Sequence, residues 1–267
     1  MRRALSLLVI GLLGPVAHAD PTADRVFTAP TAWLPPSNAV VGIGVVDLRA
    51  LADKRLESTL IVGYGLGGLA AVDVGTDTDV RGCTDCAGTV PPAPIYLGRA
   101  SFRLGARQDA WFRGMPAVVF GVQTTFGSSG PFRDARVSEA YVVASRELGP
   151  VRMHGGVALI DAGFADVTLG RKARPLAGLE WTPSQYPKTT LMGDVAWMPR
   201  LESDATDRVA LEWVAGWGVR YQAFARAAIE LAVRHRQDEG LGDSTVMVRM
   251  TGMWELEPAP RAVIRLR

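Results

Sequence analysis

Cysteine is nearly absent from this chain. Its 267 residues hold two, Cys83 and Cys86, in the run R-G-C-T-D-C-A-G. Two thiols cannot form the multi-bridge framework of a small secreted domain, and a single C-x-x-C without a nearby histidine offers too few ligands for a closed zinc site. In an oxidising compartment the spacing reads as a local disulfide that staples a loop. Histidine is as scarce, with three residues. After the first twenty residues no apolar run reaches the ~18 residues of a helical membrane span. Charge of one sign is lacking too: 29 Lys+Arg stand against 27 Asp+Glu, and two of the arginines lie in the first three residues. That balance excludes the basic footprint of a nucleic-acid binder.

What is present begins with a leader. Arg2 and Arg3 precede the apolar run A-L-S-L-L-V-I-G-L-L-G-P-V-A, and Ala17-His18-Ala19 supplies a small-residue cleavage site before Asp20. This is the pattern of a secretory signal, which places the mature chain in an envelope compartment.

From Asn38 onward, apolar and polar residues alternate in segments of about ten, broken by turn residues. In V-A-L-E-W-V-A-G-W-G-V-R-Y, Val209, Leu211, Trp213, Ala215, Trp217, Val219 and Tyr221 share one face, and Glu212 and Arg220 the other. Period two over that length exceeds an ordinary soluble strand and suffices to cross a bilayer at a tilt. The stretch R-A-A-I-E-L-A-V-R-H-R at 226–236 is ambiguous, because its alanines and i, i+4 charges also suit a helix. A helix there would leave the edge of the preceding strand unpaired in lipid, so a strand is expected. About twelve such strands follow one another, with Y-V-V-A-S-R and the first, A-V-V-G-I-G-V-V-D-L-R, apolar on both faces and hard to phase. Long connections alternate with tight ones, the layout of an outer-membrane barrel with both termini inside. The expected fold is therefore all-β: a transmembrane antiparallel up-and-down β-barrel of about 12 strands over 38–257. A signal peptide at 1–19 and a periplasmic segment at 20–37 precede it, and a tail or short closing strand at 258–267 follows.

The alternation nominates a set of lumen-facing residues: Asp73, Arg99, Arg103, Arg152, His154, Glu180, Asp194, Glu212, Arg220, Arg226, Glu230 and Arg234. Lone charges in a narrow lumen are costly, so these are expected to pair across strands, either plugging the lumen or lining a hydrated path. G-Y-G-L-G-G at 63–68 formally matches a dinucleotide fingerprint, but a period-two strand follows where the motif needs a helix, so a hairpin turn is expected. Asp73, Asp77 and Asp79 read as alternate acids on a solvated wall rather than a cation site. No Ser or Cys is placed in sequence as a nucleophile beside His154 or His235, which leaves a catalytic triad without a signal. Trp181, Trp197, Trp213, Trp217, Tyr221 and Trp254 are expected in the aromatic girdles where lipid meets water.

The segment M-P-A-V-V-F-G-V-Q-T-T-F-G-S-S-G-P-F-R-D-A-R-V-S-E-A-Y-V-V-A-S-R-E-L-G at 115–149 resembles YjbH-type outer-membrane proteins. Pro116, Gly121, Gly127, Glu139, Tyr141, Ala144 and Ser145 stand in matching places, with Arg146 for the usual lysine. T-A-P-T-A-W-L-P-P-S-N-A-V and L-A-G-L-E-W-T-P are similar to that family's entry and later strands. The resemblance implies a barrel linked to exopolysaccharide production or export, with polysaccharide and polysaccharide-export proteins as partners. This chain departs from the family in its shorter length, its missing lipoprotein cysteine, and an ending in R-A-V-I-R-L-R rather than an aromatic residue. The closing strand is accordingly expected at D-S-T-V-M-V-R-M-T-G-M-W-E-L.

Sequence alone thus points to a non-enzymatic pore or scaffold of the bacterial outer membrane. Its expected partners are outer-membrane lipid and the barrel-assembly machinery; no nucleic acid, metal or cofactor is expected. Two alternatives are a barrel enzyme acting on lipid or polysaccharide through His154 or the inward acids, and a soluble lipocalin-like barrel binding an apolar ligand.

Overall fold

A computed structural model describes residues 24–49, 55–83, 93–127, 132–203, 207–237 and 239–256. The strands are β1 (Ala39–Arg49), β2 (Arg55–Leu66), β3 (Ala70–Asp77), β4 (Arg81–Cys83), β5 (Ala93–Pro94), β6 (Leu97–Ala106), β7 (Ala117–Phe126), β8 (Arg136–Leu148), β9 (Val151–Phe164), β10 (Val167–Thr168), β11 (Lys172–Trp181), β12 (Thr189–Glu202), β13 (Arg208–Phe224), β14 (Ala227–Arg236) and β15 (Thr245–Glu255). Leaving aside the short β4, β5 and β10, twelve long strands pair antiparallel with their neighbours. β1 and β15 join in continuous register from Ala39↔Glu255 to Leu48↔Val246, so the sheet closes on itself and, among the described residues, each of the twelve long strands is paired on both sides. This is the expected twelve-stranded up-and-down barrel.

The ambiguous stretch is strand β14, in register between β13 and β15. Its zigzag is unequivocal: Ile229 and Leu231 are exposed on the outer face, while Glu230 and Arg234 are buried inside. The same alternation runs along β13, with Trp217 and Tyr221 exposed outward and Glu212 and Arg220 inward. G-Y-G-L-G-G is a hairpin: Gly67 and Gly68 turn at φ 61° and 68°, a left-handed pair that glycine adopts without strain. The tight connections, the chain entry at Asn38 and the end of β15 share one end of the barrel, the periplasmic end by the usual orientation. The longer connections share the other, where β4 folds back to pair parallel with β12.

The interior is not uniform. Val119, Tyr141, Val143, Ala158, Ile160 and Leu176 from β7, β8, β9 and β11 form an apolar core on one side. The facing walls, β1, β3, β6 and β13–β15, carry buried charges. An inward core explains why Y-V-V-A-S-R was apolar on both faces. Tyr141 and Val143 point in and pack, and Val142, half exposed, points out.

Two expectations are revised, and three lie outside the described residues. The segment expected in the periplasm at 20–37 does not stay there: from Asp24 to Trp33 it lies inside the barrel. Arg226 is not on a lumen wall but in the β13–β14 turn, 3.9 Å from Glu255 at the periplasmic rim. Residues 1–19, the tail 258–267 and Cys86 lie outside the described residues, and with Cys86 the expected bridge; Cys83 is buried at the end of β4. Because Leu231 faces out between Val219 and Val248, Leu231→Arg should cost about 2–4 kcal/mol in lipid, measured by denaturant unfolding in bilayers. A neutral effect would mean that lipid does not touch this face.

Candidate functional site: the filled lumen

The proline-rich stretch before Asn38 cannot join the sheet, because Pro30, Pro35 and Pro36 lack backbone N–H groups. It turns instead into the lumen and folds on itself. Val26 N–H donates to the Ala29 carbonyl at 2.9 Å, and Thr31 N–H to the Asp24 carbonyl at 2.8 Å. The tip then exposes consecutive amide protons to a buried surrounding, where each needs an acceptor. Asp194 of β12 supplies it: its Oδ2 accepts from Phe27 N at 3.0 Å, Thr28 N at 2.6 Å and Ala29 N at 2.6 Å. Three converging N–H groups form an anion nest, here closed around a carboxylate of the wall.

Three strands farther round the wall, Arg249 of β15 donates to the Val26 carbonyl and, at 3.2 Å, to that of Arg25. Its guanidinium also lies 5.7 Å from the Phe27 ring centroid. Gly178 and Gly216 make room for the loop, since a Cβ at either would come within 3 Å of Val26 or Phe27. Farther down, Ala32 N–H donates to Ser145 Oγ at 2.7 Å, Arg103 to the Trp33 carbonyl at 3.4 Å, and Arg152 stands 5.6 Å over the Trp33 ring.

The inward charges pair as expected, in three groups. Near the periplasmic end, Arg220 meets Glu230 at 2.7 Å and Glu180 at 3.0 Å, and Arg249 also reaches Glu230. Mid-barrel, Asp73 is held by Arg99 at 3.2 Å and Arg103 at 3.7 Å. Toward the outer end, Arg234 bridges Asp47 and Asp79 at 2.5 Å each, and Arg236 meets Glu212 at 2.7 Å. The loop enters this network with its own charges, Asp24 lying 3.7 Å from Arg99 and Arg25 3.6 Å from Asp79. Removing one partner of such a pair strands the other in a low-dielectric interior.

Asp73, Arg99, Arg103, His154, Glu180, Asp194, Glu212, Arg220, Glu230 and Arg234 are buried, and Arg152 is half-buried at the mouth. Sequence reading missed Asp47, Arg249, Asp24 and Arg25. Asp47 lies in the apolar first strand, where phasing failed, and Asp24 and Arg25 lie outside any strand. It also missed Ser145. Ser145 and His154 are direct cross-strand partners in β8 and β9, with Oγ 2.7 Å from Nδ1. His154 Nε2 lies 3.3 Å from Glu180 Oε1, within charge contact though off the line of a hydrogen bond.

Little open space is left around the loop. A cavity of about 40 Å³ separates it from Asp47, Asp77 and Arg234, and one of about 20 Å³ lies by Trp33 and Asp73, room for a few waters. At the periplasmic mouth are two wider clefts. One of about 500 Å³ is lined by Ala32, Trp33, Leu34 and Arg107, and one of about 530 Å³ by Arg152, Lys188 and Arg220.

No family model matches the chain, and no curated protein does. Among solved structures it is similar to the NanC porin, with 12% identity and a TM-score of 0.51 over 81% of this chain and 100% of that one. It also aligns with the calcium-bound outer membrane phospholipase dimer of Salmonella typhi, with 13% identity and a TM-score of 0.48 over 82% and 91%. A loop L8 deletion mutant of OmpT, an outer membrane protein of Vibrio cholerae, aligns with 11% identity and a TM-score of 0.42 over 82% and 100%. These likenesses are of fold. The chain is an outer-membrane β-barrel of the bacterial envelope. The expectation that it is not an enzyme is withdrawn: the fold does not exclude activity, since the solved structures that align with it include outer membrane phospholipases as well as a porin.

Since one Asp194 oxygen accepts three N–H groups, Asp194→Ala should lower stability by about 3 kcal/mol. It should also let trypsin cut after Arg25 in the folded barrel, whereas Asp194→Asn, which keeps an acceptor, should do so far less. A loop still resistant to trypsin in Asp194→Ala would show that it is held elsewhere.

Proposed function

We propose that this barrel is a gated passage through the outer membrane, closed by its own N-terminal loop, and that it serves exopolysaccharide secretion. The observation that carries the gate is the loop's mode of attachment. It is joined to the wall by hydrogen bonds and ion pairs on β6, β8, β12 and β15 rather than by strand pairing. It can therefore leave without unpairing the sheet. Its bulk, from Asp24 to Trp33, stands where a solute would pass. The wall it would uncover is polar on the side of β1, β3, β6 and β13–β15, suited to a hydrated solute. The polysaccharide follows from the YjbH-like segment at 115–149 and is a reading separate from the gate.

In planar bilayers the full chain should give no steady conductance, and Asp194→Ala should give discrete steps. Steady steps from the unaltered chain, or none from Asp194→Ala once trypsin has shown its loop released, would reject the gate. For the cargo, deleting the gene should reduce secreted polysaccharide several-fold. Unchanged secretion would reject that half alone.

A further inference from the structure

Ser145, His154 and Glu180 form an ordered chain that the passage does not use. Ala32 N–H donates to Ser145 Oγ, so the serine's own proton is free for His154 Nδ1, 2.7 Å away. The imidazole then carries its proton on Nε2, with Glu180 Oε1 3.3 Å away in charge contact, off the line of a hydrogen bond in this state. Glu180 is in turn paired with Arg220 at 3.0 Å and Arg152 at 3.9 Å. Hydroxyl, base and orienting carboxylate stand in the order that activates a serine, with the two ring nitrogens exchanged relative to the usual arrangement. All three side chains are at least 96% buried, so no outside substrate touches the hydroxyl in this state. One carbonyl is already there. Because Ser145 Oγ is 2.7 Å from Ala32 N, and that nitrogen is bonded to the Thr31 carbonyl carbon at ~1.33 Å, the carbon lies within ~4 Å of the hydroxyl.

From this geometry we infer that the barrel cleaves its own chain between Thr31 and Ala32. Rotation of that peptide turns its N–H off the hydroxyl and presents the carbonyl carbon. Ser145 Oγ bonds to it and passes its proton to His154 Nδ1. The C–N bond then breaks, with Ala32 N taking that proton, which leaves Thr31 as an ester on Ser145. Water from the cleft beside Ala32 and Trp33 attacks the ester, His154 relays the proton, and Ser145 is restored. The products are a fragment ending in the Thr31 carboxylate and a barrel beginning at Ala32. Ser145 and His154 are the catalytic residues, and Glu180 is a positioning residue. An intramolecular target held in place supplies the proximity that a diffusing one lacks. After the cut, the Asp24–Thr31 loop is held only by non-covalent contacts.

The test is intact-mass and peptide-mapping mass spectrometry on the full chain, expressed with its leader and extracted folded from outer membranes. A new N-terminus at Ala32 should accumulate with incubation in the unaltered protein. It should fall ~100-fold or more in Ser145→Ala and in His154→Gln, and less in Glu180→Gln, each preparation first shown folded by heat-modifiable gel mobility. If Ser145→Ala does not fold, His154→Gln decides. A folded unaltered chain that stays continuous across Thr31–Ala32, or a cut that persists in these variants, overturns the inference. Conductance is read separately, so an uncut chain leaves the gate standing.

Discussion

Every polar group enclosed by a lipid-embedded wall must find its partner inside that wall. The strands meet this demand for the backbone by closing β15 on β1. The side chains meet it by pairing, Arg234 with Asp47 and Asp79, and Arg220 with Glu180 and Glu230. The N-terminal loop is part of the same solution. At Asp194 the amide protons of Phe27, Thr28 and Ala29 take the place that guanidinium groups take at Asp73 and Asp47. The loop's own amides are equally dependent on Asp194. Each satisfies a need of the other that water cannot reach.

The interior is half core and half electrolyte. Against β7, β8, β9 and β11 the loop presents Ala29 and Ala32 to an apolar surface like that of a soluble domain. Against the other walls it presents Asp24 and Arg25 to charge. This two-sidedness fixes the rotation of the loop about the barrel axis as well as its depth. Sliding it by one residue would set Arg25 away from Asp79 and bring the tip amides out of reach of Asp194.

The wall was legible because its physics is local. Period two along Val209–Tyr221 and Ala227–Arg236 states which side meets lipid, and the alternation of long and short connections states which end is which. Even the helix-prone alanines of β14 gave way to the need for paired edges. The contents of the lumen were not legible, because they depend on which strands face each other. Tyr141 and Val143 looked like an unphased apolar run, since their inward packing is visible only once Leu176 and Val119 are set beside them. F-T-A-P-T-A-W-L-P-P reads as a periplasmic segment before the first strand, and nothing in it says that Asp194, 165 residues on from Ala29, will hold the amides of Phe27, Thr28 and Ala29. Ser145 and His154 are nine residues apart across a tight turn, and the β8–β9 register that joins them is set by that turn's length.

The loop touches β6 through Arg103, β8 through Ser145, β12 through Asp194 and β15 through Arg249. Its seat is therefore not a property of any one hairpin. It comes into being only when the first-made and last-made parts of the cylinder have met, and a half-curled sheet would offer it anchors on one side alone. A seated loop thus reports that the cylinder is complete, so the chain carries at its own beginning a sensor for the arrival of its end.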